Sequence, residues 1–262
     1  MPQLLLKGKL IGNIKGVLFD KDGTLSNSEE YLLILAKARI NSSLKKFNEL
    51  KKSTKQLFQL EKLLLTIYGL STKGLDPKGL LAIASREQNL ISTATVFSIL
   101  GESWPISLSL AQEIFIAADS DTTLINTEFS EQRTIISGAK AFLLSLQKAK
   151  VKAGLITNDS KLGAKEFIEK NNVEKIFKHL WTADNFPSKP DPKSVIDICS
   201  EMEISPSECA LISDADTDLQ MAAQSKIGVI IGFTGGWRIQ PNLHQGNFLI
   251  NHWNELEIHK TP

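Results

Sequence analysis

With 262 residues, 42% of them hydrophobic, the chain can bury one large core or two modest ones. Thirty Lys and Arg against 29 Asp and Glu leave a net charge of +1, which removes any electrostatic ground for expecting nucleic acid or an acidic membrane surface as a partner. Cys199 and Cys209 are the only cysteines and form no metal-ligand spacing, so reduced thiols in a cytoplasmic protein are expected.

The opening stretch MPQLLLKGKLIGNIKG carries no sustained apolar run or small-residue cleavage site, so it does not read as a signal peptide. No segment reaches the roughly 20 apolar residues that span a bilayer. Gly16–Phe19 (GVLF) reads as a short buried strand, followed at once by Asp20, Asp22 and a glycine turn. From residue 26 to 134 the pattern turns helical, with almost no strand signal: EEYLLILAKARINSSLKKF, KQLFQLEKLLLTIYGL and LSLAQEIFIAAD all space their apolar residues for one helix face. Asp76-Pro77 reads as an N-cap with proline at the first helical position, opening KGLLAIASREQNL, and Trp104-Pro105 as a break between helices. Lys45, Lys46, Lys51, Lys52 and Lys55 lie in the first part of this segment, whereas Glu102 to Glu131 is mostly acidic. Complementary solvated helix faces are the expectation, ahead of a substrate-steering basic patch.

From Ile135 onward strand and helix alternate. AKAFLLSLQKAK, KLGAKEFIEKNN, DPKSVIDICSEM and ADTDLQMAAQS read as helices, and WNELEIH as a terminal one. VKAGLIT, KHLWTAD, ECALIS, IGVIIGF and NFLIN read as strands. Such alternation predicts an α/β fold, a Rossmann-like parallel sheet with helices on both faces. Residues 1–25 and 135–262 are therefore expected to form one α/β domain, interrupted by an all-helical insertion over 26–134.

In open parallel sheets, ligands bind beyond the carboxyl ends of the strands. Asp20 and Asp22 follow the first strand, Thr157 and Asn158 follow VKAGLI, Lys189 follows the HLWTAD strand, and Asp214 and Asp218 follow ECALIS. Several carboxylates sharing one crevice repel unless a cation sits among them. A hard divalent ion such as Mg²⁺, which combines a few carboxylates with substrate phosphate and water, meets that need. Thr157 and Lys189 would supply a hydroxyl and a positive charge to phosphate oxygens. One aspartate would then be free to form an aspartyl-phosphate, and a second carboxyl nearby to move protons.

DKDGTL, LITND, SKPDP and ISDADTDLQMAA, in that order, resemble the four motifs of the haloacid dehalogenase-like hydrolase superfamily. The resemblance covers the α/β part; the insertion matches only by position and helicity. It implies Asp20 as nucleophile and Asp22 as general acid/base. It also implies Thr157, the Asn158 backbone and Lys189 as phosphate ligands. Mg²⁺ would be bound by Asp20, the Asp22 backbone carbonyl and Asp214, with Asp218 in or next to that shell. The insertion occupies the place of the family's helical type 1 cap, and the short interval between Asn158 and Lys189 leaves no room for the cap that other members insert there. Ser213 stands where the fourth motif usually has glycine.

The implied function is a phosphatase of small phosphorylated metabolites, of the phosphoglycolate or sugar phosphate class, by analogy with capped relatives. A sugar phosphomutase using the same aspartyl-phosphate is the alternative, and a non-catalytic binding protein on the same scaffold a lesser one. Asp22 argues against a dehalogenase, which has no ester oxygen to protonate. Asp216 reads as a loop or cap residue, and His179, His244, His252 and His259 as structural or surface residues. No GxSxG, GxxxxGK[ST] or GxGxxG occurs, so a serine hydrolase, an NTP site and a dinucleotide site lack their fingerprints. FTGGW at 233–237 reads either as a loop rimming the site or as a plain turn. Oligomeric state has no signal in the sequence.

Overall fold

The computed structural model describes residues 1–125 and 133–260. The chain divides into two compact units, one formed by 1–27 with 133–262 and the other by 28–132. Elements of the first unit, in chain order, begin with β1 (Gln3–Leu6), β2 (Lys9–Asn13) and β3 (Gly16–Phe19). The second unit supplies α1 (Glu29–Glu49), α2 (Thr54–Tyr68), β4 (Leu70–Ser71), β5 (Gly74–Leu75), α3 (Leu80–Ile83), α4 (Arg86–Ile99) and α5 (Trp104–Ile125). The first unit resumes with α6 (Ala139–Lys148), β6 (Lys152–Ile156), α7 (Lys161–Lys170), β7 (Phe177–Trp181) and α8 (Pro192–Glu201). It ends with β8 (Cys209–Ser213), α9 (Asp216–Gln224), β9 (Val229–Phe233), β10 (Phe248–Ile250) and β11 (Leu256–His259).

The α/β unit is a six-stranded sheet of order β10-β9-β8-β3-β6-β7, and every neighbouring pair is parallel. From β3 the chain runs outward through β6 to β7, then returns to the other side of β3 with β8. Strand residues alternate between two cores, as the two-residue period of a strand requires. Val17 and Phe19 pack with Phe142, Leu146 and Phe167 of α6 and α7, whereas Leu18 packs with Val195, Ile198 and Leu219 of α8 and α9. The result is three layers, helix, sheet and helix, with the strands buried on both faces. Trp253 completes the first core, its ring stacked on Phe233 at 5.1 Å and on Phe142 at 5.7 Å.

The ends of the chain differ from the sequence expectation. WNELEIH is not a helix: Trp253–Glu255 forms one 3-10 turn and the chain then enters β11. Leu256 and Ile258 alternate with Glu257 and His259, and β1 offers the partner that this strand pattern needs, pairing Leu6 with Leu256 and Leu4 with Ile258. Beside it, β2 completes an antiparallel sheet of order β11-β1-β2, in a stretch for which no element was expected. Tertiary pairing overrides weak local preference in segments this short.

Among the described residues, the regular structure of the second unit is helical apart from the two-residue ladder of β4 and β5. The helix expected from Pro77 does not start there: Asp76 Oδ1 accepts from the Lys78 N–H at 2.9 Å in a turn. The run is instead two helices divided at Ala84, because Ser85 and Gln88 form a reciprocal capping box that starts α4 afresh. Ser53 and Gln56 do the same for α2. The Lys-rich part does meet acidic partners: Lys46 pairs with Glu113 at 2.9 Å, and Lys52 with Glu102. Glu128 and Glu131 of the acidic stretch lie outside the described residues. No helix among the described residues is long and apolar enough to cross a membrane.

Candidate active site

The carboxyl ends of the central strands hold the residues that the motifs single out. The Asp20 N–H continues the ladder beyond β3 by donating to the Ile212 carbonyl at 3.0 Å, and the Thr157 N–H does the same beyond β6 at Trp181, 2.8 Å. Both backbones are thus fixed by sheet hydrogen bonds before any side chain acts. Lys189, only 6% exposed, reaches in from the loop after β7. Its Nζ donates to Asp20 Oδ1 at 2.6 Å and to Asp218 Oδ2 at 2.5 Å, tying the ends of β3 and α9 together.

The fourth motif is organised by hydrogen bonds from Ser213, Thr24 and Trp237. Ser213, in the usual glycine position, donates to Asp218 Oδ2 at 2.8 Å and accepts from the Ala215 N–H at 3.2 Å, so its hydroxyl fixes both the carboxylate and the turn into α9. Thr24 of DKDGTL and Asp214 bond reciprocally: the hydroxyl donates to Asp214 Oδ1 at 2.7 Å and accepts from the Asp214 N–H at 3.0 Å. The indole of Trp237, from FTGGW, donates to Asp214 Oδ2 at 2.5 Å.

The glycines of FTGGW explain how that tryptophan comes so near. A Cβ on Gly236 would stand 1.7 Å from the Gly23 carbonyl oxygen, so only glycine allows the two backbones to pack. Gly23 itself has φ +75, a left-handed conformation costly to other residues, and a Cβ there would strike the Trp237 ring at 2.2 Å. The segment is therefore neither a free rim nor a plain turn: it is packed onto the turn that carries Asp22.

Asp22 takes a separate partner. Lys21, between the two acids, is 2% exposed, and its Nζ lies 2.7 Å from Asp22 Oδ1 and 3.0 Å from Asp159 Oδ2. Asp159 follows Asn158, which is half-buried, and its N–H donates to Thr157 Oγ1 at 3.1 Å. Asp216 behaves as expected of a loop tie, accepting from the His244 and Gln245 N–H groups at 2.7 and 3.2 Å. His252 caps its own turn through Nδ1, and His259 pairs with Glu257.

Charge in this cluster is expensive. Burial pushes the Asp20 carboxyl well above its ordinary value, Lys189 pulls it back, and the neighbouring Asp218 and Asp214 charges push it up again. Burial also raises Asp214, to about 6, against the opposing hydrogen bonds from Thr24 and Trp237. For Lys189 and Lys21 burial acts downward, but the carboxylates of Asp20 and Asp218, and of Asp22 and Asp159, outweigh it and hold both ammoniums charged.

The family model described as haloacid dehalogenase-like hydrolase matches residues 14–226. The chain belongs to that family. No curated protein matches this haloacid dehalogenase-like hydrolase in sequence. Among solved structures it resembles a predicted phosphoglycolate phosphatase from Haemophilus somnus, with 18% identity, TM-score 0.65, and 93% of this chain and 96% of that chain covered. A β-phosphoglucomutase candidate from Thermotoga maritima follows at 18% identity and TM-score 0.58, covering 92% of this chain and 96% of that one. A 2-haloacid dehalogenase from Pseudomonas syringae has 16% identity and TM-score 0.55, with the same coverage. The three differ in the activity their names give, and at such identities the likeness shows a shared fold alone.

Proposed function

We propose that this haloacid dehalogenase-like hydrolase is a Mg²⁺-dependent phosphatase of small phosphorylated metabolites, phosphoglycolate or a sugar phosphate, acting through an aspartyl-phosphate on Asp20. The observation that carries the reading is the pairing of buried Asp20 with the buried Lys189 ammonium at 2.6 Å, with a second acid, Asp22, two residues on. The α/β unit would be the catalytic domain and residues 28–132 the type 1 cap.

The donor set suits a hard cation. Asp20 and Asp214 are buried oxygen donors whose ionised forms are disfavoured by burial and by neighbouring carboxylates, Asp218 acting on both and Asp214 on Asp20, which is the condition that a divalent ion relieves. No group of three or more acids, histidines or cysteines among the described residues is placed to hold a metal ion by itself, but Mg²⁺ commonly takes only one or two carboxylates and fills its remaining positions with water and phosphate. The Asp20 and Asp214 carboxylates with the Asp22 carbonyl would hold it. Asp218, engaged by Lys189 and Ser213, would stand next to them. When bound, the ion would offset the repulsion between carboxylates and phosphate.

In this reading Lys189 holds Asp20 Oδ1, leaving Oδ2 to attack phosphorus. The Thr157 hydroxyl, whose lone pair takes the Asp159 N–H, has its own proton to donate to a non-bridging oxygen, alongside the Asn158 backbone N–H and Lys189. As the phosphorus–ester bond breaks, the Asp22 carboxyl gives its proton to the leaving oxygen. The Asp22 carboxylate then takes a proton from water, which attacks phosphorus, releases inorganic phosphate and restores Asp20. The place of Asp22 favours ester cleavage over dehalogenation, in which the leaving halide takes no proton.

Inorganic phosphate release from a panel of small phosphate esters, with Mg²⁺ and after EDTA, tests the reading. Release that needs Mg²⁺ and vanishes in Asp20→Asn is expected. Absence of release from every ester would reject the phosphatase, and a sugar-phosphate isomer assay would then test the mutase.

A further inference from the structure

Lys21 has no assigned part in the chemistry above, yet the fold invests heavily in it. An ammonium buried this deeply costs several kcal/mol unless it is paired. An apolar side chain would fill the space beside the Phe167 ring, 5.8 Å from Nζ, without that cost. Instead the ammonium joins two carboxylates from different strand ends: Asp22 after β3 and Asp159 after β6.

The Asp159 end of this bridge is anchored. Its Oδ1 accepts from the Ser160 N–H at 2.7 Å, and its carbonyl accepts from the Ala183 N–H at 2.9 Å. Gly163 lets it come close to α7, since a Cβ there would lie 2.4 Å from Asp159 Oδ2. The Asp22 end is different: its side chain is 24% exposed. A carboxyl that must reach an ester oxygen needs hydrogen-bond geometry at that moment, and small misplacement is costly.

We propose that Lys21, anchored on Asp159, is a positioning residue that fixes the Asp22 carboxyl for proton transfer to the leaving oxygen. The proposal rests on the phosphatase reading. Lys21 itself exchanges no proton in the step. Its main chain serves separately, the carbonyl accepting from the N–H groups of Thr24, Leu25 and Ser26, so loss of the side chain leaves the turn its backbone bonds.

The test uses leaving groups of different basicity. A p-nitrophenolate departs with little protonation, whereas phenolate depends on the acid. With Mg²⁺ present, kcat/KM is measured on p-nitrophenyl phosphate and phenyl phosphate for wild type, Lys21→Met and Asp159→Asn, with folding checked by circular dichroism. Lys21→Met should lose about tenfold or more on phenyl phosphate and less than about threefold on p-nitrophenyl phosphate. Asp159→Asn, which keeps Lys21, should lose less but with the same bias. Equal losses on both esters, or none, would overturn the positioning role while leaving the phosphatase standing. If Lys21→Met does not fold, Asp159→Asn decides by the same criterion. A wild type inactive on both esters and on the wider panel would overturn both readings.

Discussion

Neutralising Asp214 should stabilise the metal-free protein. Its carboxyl is buried and held at about 6, against an ordinary 3.8. At 1.36 kcal/mol per pKa unit, that difference comes to roughly 3 kcal/mol of stability withheld once the folded-state group is ionised. The sign follows from proton binding. Between 3.8 and 6 the folded protein holds a proton that the unfolded chain releases, so stability falls as pH rises through this window and the penalty is complete above it. Asp214→Asn removes the charge and can keep both hydrogen bonds, its carbonyl accepting from Trp237 and its amide donating to Thr24. Urea unfolding in EDTA, followed by tryptophan fluorescence, is the assay; Trp181, Trp237 and Trp253 all lie in the α/β unit. The variant should exceed wild type by about 3 kcal/mol at pH 8, converge with it near pH 4, and lose metal-dependent turnover. Equal stability at pH 8, or a gain that does not shrink on acidification, would refute the reasoning.

Two other substitutions probe the same cluster. Lys189→Met leaves Asp20 and Asp218 without their cation and should cost about 3–5 kcal/mol at pH 8, and progressively less as the pH is lowered, because the Asp20 carboxyl is raised above its ordinary value; urea unfolding across a pH series checks it. Gly236→Ala drives a Cβ into the Gly23 carbonyl and should cost about 1–3 kcal/mol and most of the activity by shifting the turn that bears Asp22, read by melting temperature and phosphate release.

What the sequence disclosed was whatever repeats with a period or stands at a strand end. The parallel sheet was legible because apolar runs such as CALIS and VIIGF alternate with helical patterns, and Asp20, Thr157, Lys189, Asp214 and Asp218 because each follows such a run. The two-residue ladder of β4 and β5 was too short for any period, and β11 required a partner strand at the far end of the chain. The break at Ser85 was written in SREQ, but hydrophobic periodicity runs across it. Lys21 and Trp237 were hidden for another reason: their importance lies in contacts across the fold, to Asp159 and Asp214, that spacing along the chain does not encode. Ser213 was visible as a departure from glycine, but not the bond that its hydroxyl makes to Asp218. The pair of glycines before Trp237 was the available signal, since adjacent glycines mark places where backbones touch.

Where the chain leaves the α/β unit and where it comes back, it stitches itself shut. The Asn27 N–H donates to the Thr134 carbonyl at 2.9 Å, Ser26 bridges Ile135, and the Ile136 N–H donates to the Leu25 carbonyl at 2.7 Å. To the α/β unit, everything from 28 to 132 is therefore one excursion from a closed seam. The entropy of closing such an excursion grows only logarithmically, about 0.6 kcal/mol for each doubling in length. A seam of this kind makes the intervening segment exchangeable: joining 27 to 133 by a few glycines should leave a sheet that still folds around Asp20, and a guest of quite different size could be carried in the same place.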